Sequence, residues 1–153
     1  HLDEASAFFE EMARTYGGHP NVLFETFNEP MEQGWGDTIR PYHEAIVHII
    51  RRYTDNIIIL GTRHWSQEVE EASMSPLDGD NLAYALHFYA ASNGYLLREK
   101  ARRAISNGVA LFVTAWGTSQ RDADLAEPRG ASSYPNLGET QAWLDFLDDH
   151  HIS

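Results

Sequence analysis

The sequence has 153 residues, of which 42% are hydrophobic, and this is enough for the core of one domain. Its 23 acidic and 11 basic residues give a formal net charge of −12, which disfavours nucleic acid and anionic membrane surfaces as partners. There is no cysteine, which excludes disulfides and thiolate metal sites, and no apolar run approaches the ~20 residues of a membrane-spanning helix.

Helix and strand patterns alternate from the start of the chain. Apolar residues at helical spacing predict a first helix over residues 5–16, and the pattern there is not that of a signal peptide, so any export signal would lie outside this sequence. Residues 22–27 predict a strand, and residues 39–53 predict a helix with one apolar stripe. The β-branched run at 56–60 is typical of a strand buried on both faces of a parallel sheet.

The second half of the chain continues this alternation. Its predicted elements are a loop at 62–67 leading to a short helical segment, a strand at 82–89, a helix with its apolar face at 97–105, a strand at 109–114, a long loop at 119–136 and a final helix from Leu137. Strands therefore recur every ~30 residues with helices between them, which predicts an α/β fold with a parallel sheet. An open doubly wound sheet and the eight-fold barrel both fit, but no Gly-rich phosphate loop follows a strand, which disfavours a nucleotide-binding sheet.

Asn28-Glu29-Pro30 places a carboxylate where the first predicted strand ends. Pro30 has no amide hydrogen and moves Glu29 out of the helical conformation, so Glu29 is expected at a strand end rather than inside an element. The amide of Asn28 can donate to and accept from a ligand hydroxyl. Taken alone, the three residues fit a capped turn equally well.

Aromatic and polar residues follow the other predicted strands at the same end. Trp65 comes just after the second strand, His87 and Tyr89 lie on the third, and Trp116 follows the fourth. In a barrel, the loops at the carboxyl ends of the strands surround one opening, where catalytic residues collect. Singly, each of these residues is more often a packing residue. Together with a carboxylate they indicate a site for a neutral polyol, because aromatic rings stack on sugar faces.

Four segments, in order along the chain, resemble successive motifs of glycoside hydrolase family 5 in its bacterial endoglucanase branch. They are Asn21-Val-Leu-Phe-Glu-Thr-Phe-Asn-Glu-Pro30, Gly61-Thr-Arg-His-Trp-Ser-Gln67, Leu86-His-Phe-Tyr-Ala90 and Leu111-Phe-Val-Thr-Ala-Trp-Gly-Thr-Ser119. The resemblance implies a (β/α)8 TIM barrel that hydrolyses β-1,4-glucan with retention, needs no metal or cofactor, and is secreted. Residues 1–153 would be a fragment of one catalytic domain, about half of the barrel, with units matching strands 4 to 7.

The resemblance also implies roles for individual residues. Glu29 matches the general acid/base of the family, and Asn28 matches the residue that binds the hydroxyl next to the reacting carbon. His87 and Tyr89 match the active-site histidine and tyrosine, with Tyr89 expected to hold the nucleophile. The aromatic residues expected to contact the substrate are Trp65, by stacking on a sugar, and Trp116.

The chain departs from the family at Ala115, where the family has the nucleophilic glutamate. Retaining hydrolysis requires two carboxylates ~5 Å apart, so this form is expected to be inactive. No other carboxylate is an obvious substitute. Glu25 would lie about 13 Å from Glu29 if the segment were extended throughout, and Asp122 and Asp124 lie in the long loop.

Half a barrel would keep two open sheet edges and an apolar face. We therefore expect association with a complementary barrel fragment or with another copy of the chain, in addition to binding of β-1,4-glucan or cello-oligosaccharide. Two other interpretations remain open: a natural glucan-binding protein without catalysis, and a half-barrel assembly fragment without a function of its own. Specificity for mannan rather than glucan is also open.

His43-Glu44-Ala-Ile-Val-His48 resembles the helix motif of zinc proteases but is one residue too long. The two histidines are five residues apart, about 140° around a helix, so they do not share one face. Both are predicted to be surface residues.

Overall fold

The computed structural model describes residues 1–119 and 134–153. The helices in these ranges are α1 (Leu2–Tyr16), α2 (Arg40–Ile50), α3 (Arg63–Ser66), α4 (Val69–Met74), α5 (Tyr95–Ser106) and α6 (Leu137–Asp149), and a π-helical segment, Trp35–Ile39, precedes α2. The strands are β1 (Phe24–Glu25), β2 (Ile58–Leu60), β3 (Leu82–Tyr89) and β4 (Leu111–Gly117). None of the helices in the described ranges combines the length and apolar character needed to span a bilayer.

The four strands form one parallel sheet in which their order is the order of the chain, β1-β2-β3-β4. This confirms the predicted α/β fold with helices between parallel strands. A doubly wound sheet reverses its strand order at a switch point, whereas a barrel adds each strand beside the previous one. The sequential order therefore supports a partial (β/α)8 barrel of four strands, about half of a closed one.

The two faces of the sheet differ in their packing. Alternate residues of β3, such as Tyr84 and Phe88, pack with the helices in the main hydrophobic core. Ala83 and Ala85 point to the other face, where they pack with Ile59 of β2 in a small second cluster. Because side chains alternate along a strand, His87 continues the second series. It therefore lies on the face that forms the interior of a barrel.

Most predicted elements are confirmed, but the outer strands differ from prediction. β1 has two residues instead of the predicted six, and it ends early because the chain bends at Thr26, whose amide donates to the Ile59 carbonyl. β4 begins two residues later than predicted and extends to Gly117. Gly108 has φ +92°, a conformation that favours glycine, and it redirects the chain between α5 and β4. The loop predicted at 119–136 lies mostly outside the described residues.

The prediction that His43 is a surface residue was wrong. Its side chain is fully buried, whereas His48 is exposed as predicted. His43 lies one helical turn before Ile46 and Val47 on the buried stripe of α2, so helical periodicity places it against the sheet despite its polarity. Its Nε2 donates to the Gly61 carbonyl at 2.8 Å, and burial lowers its pKa from 6.5 to about 4.

Candidate active site

Glu29 and His87 meet at the carboxyl end of the sheet. Glu29 Oε1 lies 2.8 Å from His87 Nδ1. His87 belongs to β3 and its side chain is 1% exposed, whereas Glu29 lies on the loop after β1 and its side chain is 25% exposed. One oxygen of a solvent-accessible carboxylate is thus fixed by a buried imidazole. Such a pair can hold and release a proton at a defined position.

Two further residues contact the other ring nitrogen of His87. Thr114 Oγ1 of β4 lies 2.7 Å from His87 Nε2 and donates to Glu25 Oε1 at 2.9 Å. Glu25 Oε1 is itself 3.9 Å from His87 Nε2. The side chains therefore form a continuous chain, Glu29–His87–Thr114–Glu25, across β1, β3 and β4.

The expectation that Glu25 lies remote from Glu29 was wrong. It assumed an extended strand from residue 25 to residue 29, but the chain bends at Thr26 and again at Asn28. Both carboxylates consequently approach the same imidazole from opposite sides. The sequence signal for Glu25 was its charge within an otherwise apolar strand, and Thr114 carried no comparable signal.

The loop that carries Glu29 lies directly on the end of β2, where there is no room for a side chain. A Cβ at Gly61 would lie 1.9 Å from the Phe27 carbonyl oxygen and 3.1 Å from Pro30 Cδ. Ser66 Oγ donates to the Asn28 carbonyl at 2.8 Å and holds the loop from the other side. Asn28 itself is exposed next to Glu29.

Trp65 lies beside this loop in the short segment α3, whose backbone is a left-handed turn and not a regular α-helix. His64, Trp65 and Ser66 have φ of 56°, 58° and 56°, a conformation that costs non-glycine residues roughly 1–3 kcal/mol each. The turn is held by hydrogen bonds, among them the Trp65 amide to the Pro30 carbonyl at 3.0 Å. Strain of this kind collects at functional sites. The hydrogen bond to Pro30 holds the backbone of the half-buried Trp65 next to the segment that carries Glu29.

β4 brings Ala115 next to His87, its register partner in β3. The register shifts by one residue between Ala85 and His87, so β4 is irregular at this point, and both Thr114 and Ala115 lie beside the histidine. Two residues further, Tyr89 pairs with Gly117, and a Cβ there would lie 2.9 Å from the Tyr89 ring. Glu29, His87, Tyr89 and position 115 thus lie at one end of the sheet.

Trp116 is not brought to this group. Its ring stacks on Phe88 with centroids 5.6 Å apart, and Phe88 stacks on Trp143 of α6 at 4.0 Å. These contacts lie on the helix-covered face, opposite to His87. The register after the shift explains the difference, since Trp116 is the partner of Phe88, whose side chain faces the helices, whereas Ala115 is the partner of His87. Asp122 and Asp124 lie outside the described residues.

The model of the family described as "Cellulase (glycosyl hydrolase family 5)" matches residues 1–153. Endoglucanase Z of Dickeya dadantii is 50% identical over 151 residues, which are 98% of this chain and 34% of that protein. Endoglucanase A of Evansella cellulosilytica is 42% identical over 154 residues, covering 99% of this chain and 30% of that protein. The chain thus spans about a third of the length of these curated relatives.

Solved structures show the same similarity. A protein from Cytophaga hutchinsonii superposes with a TM-score of 0.89 at 42% identity, over 100% of this chain and 48% of that one. The catalytic domain of Thermobifida fusca endoglucanase Cel5A, solved as a variant in complex with cellotetraose, has a TM-score of 0.84 at 33% identity, over 99% of this chain and 49% of that one. The chain therefore corresponds to about half of each solved chain.

Proposed function

This chain belongs to glycoside hydrolase family 5, and on that basis we propose that it carries part of the active site of a retaining endo-β-1,4-glucanase, a cellulase. The observation that carries the proposal is the contact of 2.8 Å between Glu29 Oε1 and His87 Nδ1 at the carboxyl end of the sheet. This end of a barrel is where catalytic groups collect. In the proposal, Glu29 is the general acid/base.

Retaining hydrolysis assigns two tasks to Glu29. As an acid it protonates the glycosidic oxygen of the leaving sugar while a second carboxylate attacks the anomeric carbon, and as a base it then takes a proton from the water that releases the glycosyl-enzyme. His87 supports both tasks, because it holds one carboxylate oxygen while the side chain stays accessible to solvent. Tyr89 is proposed to hold the second carboxylate.

Position 115 is the proposed place of the second carboxylate. It is the register partner of His87, which itself contacts Glu29, so a longer side chain there would start beside the acid/base pair. Ala115 has only a methyl group and cannot form the glycosyl-enzyme. We propose that the chain is inactive in this form for that reason.

The proposed substrate is β-1,4-glucan or a cello-oligosaccharide. The complex of a related endoglucanase with cellotetraose supports this choice, as does the half-buried indole of Trp65 beside the Glu29 loop. Asn28 is proposed to bind the hydroxyl next to the reacting carbon, and its exposure leaves it available. Because a polymeric substrate of this kind cannot cross a membrane, we propose that the protein acts outside the cell.

A complementary part of the barrel is proposed to complete the site. On the interior face, Leu23 and Ile57 are 41% and 39% exposed, although both belong to apolar segments that enter strands. Burying such side chains stabilises a protein by about 1.5–3 kcal/mol each. A segment that supplies the other strands, or a second copy of the chain, would cover them.

The proposal is tested by restoring the nucleophile. The variant Ala115→Glu, combined with a segment that supplies the other half of the barrel, is expected to release reducing ends from carboxymethyl cellulose. The double variant Ala115→Glu with Glu29→Gln is the matched control and is expected to lose that activity by several orders of magnitude. A folded Ala115→Glu assembly without hydrolysis would refute the assignment of position 115.

A second function is favoured by Ala115 itself. Without a nucleophile the same cleft would bind glucan and not cleave it, as in a glucan-binding pseudoenzyme. Calorimetry with cellotetraose and mannotetraose on the chain as it stands measures this binding and separates glucan from mannan specificity. A half-barrel that serves only in assembly would bind neither sugar.

A further inference from the structure

We propose that Glu25, acting through Thr114, fixes the ring proton of His87 on Nε2 and thereby leaves Nδ1 as the atom that faces Glu29. This inference rests on the proposed role of Glu29 as the general acid. Glu25 is a positioning residue in this proposal, because its oxygen is 3.9 Å from the imidazole and reaches it through the Thr114 hydroxyl.

The direction of the hydrogen bonds follows from the donors that each group has. An ionised carboxylate only accepts hydrogen bonds, and a threonine hydroxyl has a single hydrogen. At 2.9 Å from Glu25 Oε1, Thr114 Oγ1 must direct that hydrogen to the carboxylate, since two oxygens at this distance without a hydrogen between them would repel. The lone pairs of Thr114 Oγ1 are then free to accept. At 2.7 Å they accept from His87 Nε2, which therefore carries the proton.

This arrangement determines what Glu29 meets. When His87 is neutral with its proton on Nε2, Nδ1 presents a lone pair to Glu29 Oε1 at 2.8 Å. A carboxylate oxygen and an unprotonated ring nitrogen at this distance require one further proton between them. That proton is held either by Glu29, as a neutral carboxyl group, or by His87, which is then an imidazolium. In both forms the pair retains the proton that a general acid must deliver. With the other tautomer, neutral His87 would donate to an ionised Glu29 and the pair would hold one proton less.

The groups around His87 are consistent with this assignment. Within residues 1–119 and 134–153, the carboxylates in contact with its ring are Glu29, from the loop after β1, and Glu25, from β1. On the side of β4, the ring contacts Thr114 and lies beside its register partner Ala115. Neither side chain carries an ionisable group. With the ring 1% exposed, water cannot replace the Thr114 hydroxyl without a rearrangement.

The tautomer of His87 is measured directly by nitrogen NMR of the full chain labelled with ¹⁵N, because the shifts of the two ring nitrogens identify which one carries the proton. In the parent chain we expect the proton on Nε2 whenever the ring is neutral. Thr114→Ser keeps the hydroxyl and should keep this tautomer. Thr114→Val has nearly the same shape without the hydroxyl and should move the proton to Nδ1.

Glu25→Gln provides a second variant that does not depend on Thr114→Val folding. The glutamine amide can donate to Thr114 Oγ1, which frees the threonine hydrogen to point at His87 Nε2 and moves the ring proton to Nδ1. Circular dichroism checks that each variant is folded. A parent ring with its proton on Nδ1, or the same tautomer in the parent, Thr114→Val and Glu25→Gln, would overturn the proposal. No hydrolysis is measured, so this result is independent of the test of the proposed function.

Discussion

The carbonyl oxygen of Phe27 occupies the space that a side chain at Gly61 would need, 1.9 Å from the position of its Cβ. Contact with a backbone atom cannot be relieved by rotating a side chain, so the loop itself must move. We expect Gly61→Ala to displace the segment that carries Glu29 and to lower the free energy of unfolding by about 1–3 kcal/mol. Urea unfolding measures the change.

Gly36→Ala is the control for this substitution, because a Cβ at Gly36 would have no atom within 4 Å. It is expected to leave stability within about 0.5 kcal/mol of the parent. Equal unfolding midpoints for the Gly61 and Gly36 variants would mean that the loop tolerates the displacement.

The buried imidazole of His43 predicts a specific loss of stability in acid. Burial lowers its pKa to about 4 in the folded chain, against 6.5 in the unfolded chain. Between these values the unfolded state binds a proton that the folded state does not, so stability is complete above pH 6.5 and falls as the pH drops towards 4. The loss from this residue is at most about 3 kcal/mol.

His43→Gln is expected to reduce this pH dependence, which urea unfolding at intervals between pH 7.5 and 4.5 would measure. The quantity of interest is the difference in slope between parent and variant, in which contributions common to both cancel. His48→Gln, on the exposed side of the same helix, should leave the slope unchanged. A parent and a His43→Gln variant with parallel profiles would contradict the prediction.

Gly117 and Tyr89 give a second, milder steric test. A Cβ at Gly117 would lie 2.9 Å from Tyr89 Cδ1, which belongs to a side chain and not to the backbone. The tyrosine ring can rotate away, so Gly117→Ala should destabilise the chain less than Gly61→Ala and should shift the ring resonances of Tyr89. Unshifted Tyr89 resonances in a folded variant would show that the ring is not packed against residue 117.

Periodicity in the sequence was sufficient to predict the elements, and through them the end of the sheet where the site lies. α1, α5 and β3 are long and strongly patterned, and the structure confirms them. The carboxyl ends of parallel strands meet at one edge, so the sequence alone places Glu29 and His87 at the same end of the sheet. The hydrogen bond between them involves a segment that bends at Thr26 and again at Asn28, and no local pattern indicates these bends.

The other differences have separate physical causes. The prediction for His43 rested on its not sharing a face with His48, but His43 lies on the buried stripe of α2, where the Gly61 carbonyl and the Thr26 hydroxyl satisfy its two ring nitrogens. Thr114 reaches His87 because of the irregular register in β4, which depends on strand pairing rather than on sequence. The same irregularity places Trp116 on the helix face, whereas simple alternation with Phe112 and Thr114 would have put it on the interior face.

The positions of the two tryptophans predict that removing Trp65 affects sugar binding and that removing Trp116 affects stability. Trp65 lies beside the Glu29 loop, so Trp65→Ala should weaken cellotetraose binding by about 1 kcal/mol, roughly fivefold in Kd. Trp116 packs on Phe88 at the helix face, so Trp116→Ala should lower the free energy of unfolding and leave the Kd unchanged. Calorimetry and urea unfolding on both variants separate the two effects. Loss of binding in Trp116→Ala at unchanged stability would mean that its ring reaches the sugar after all.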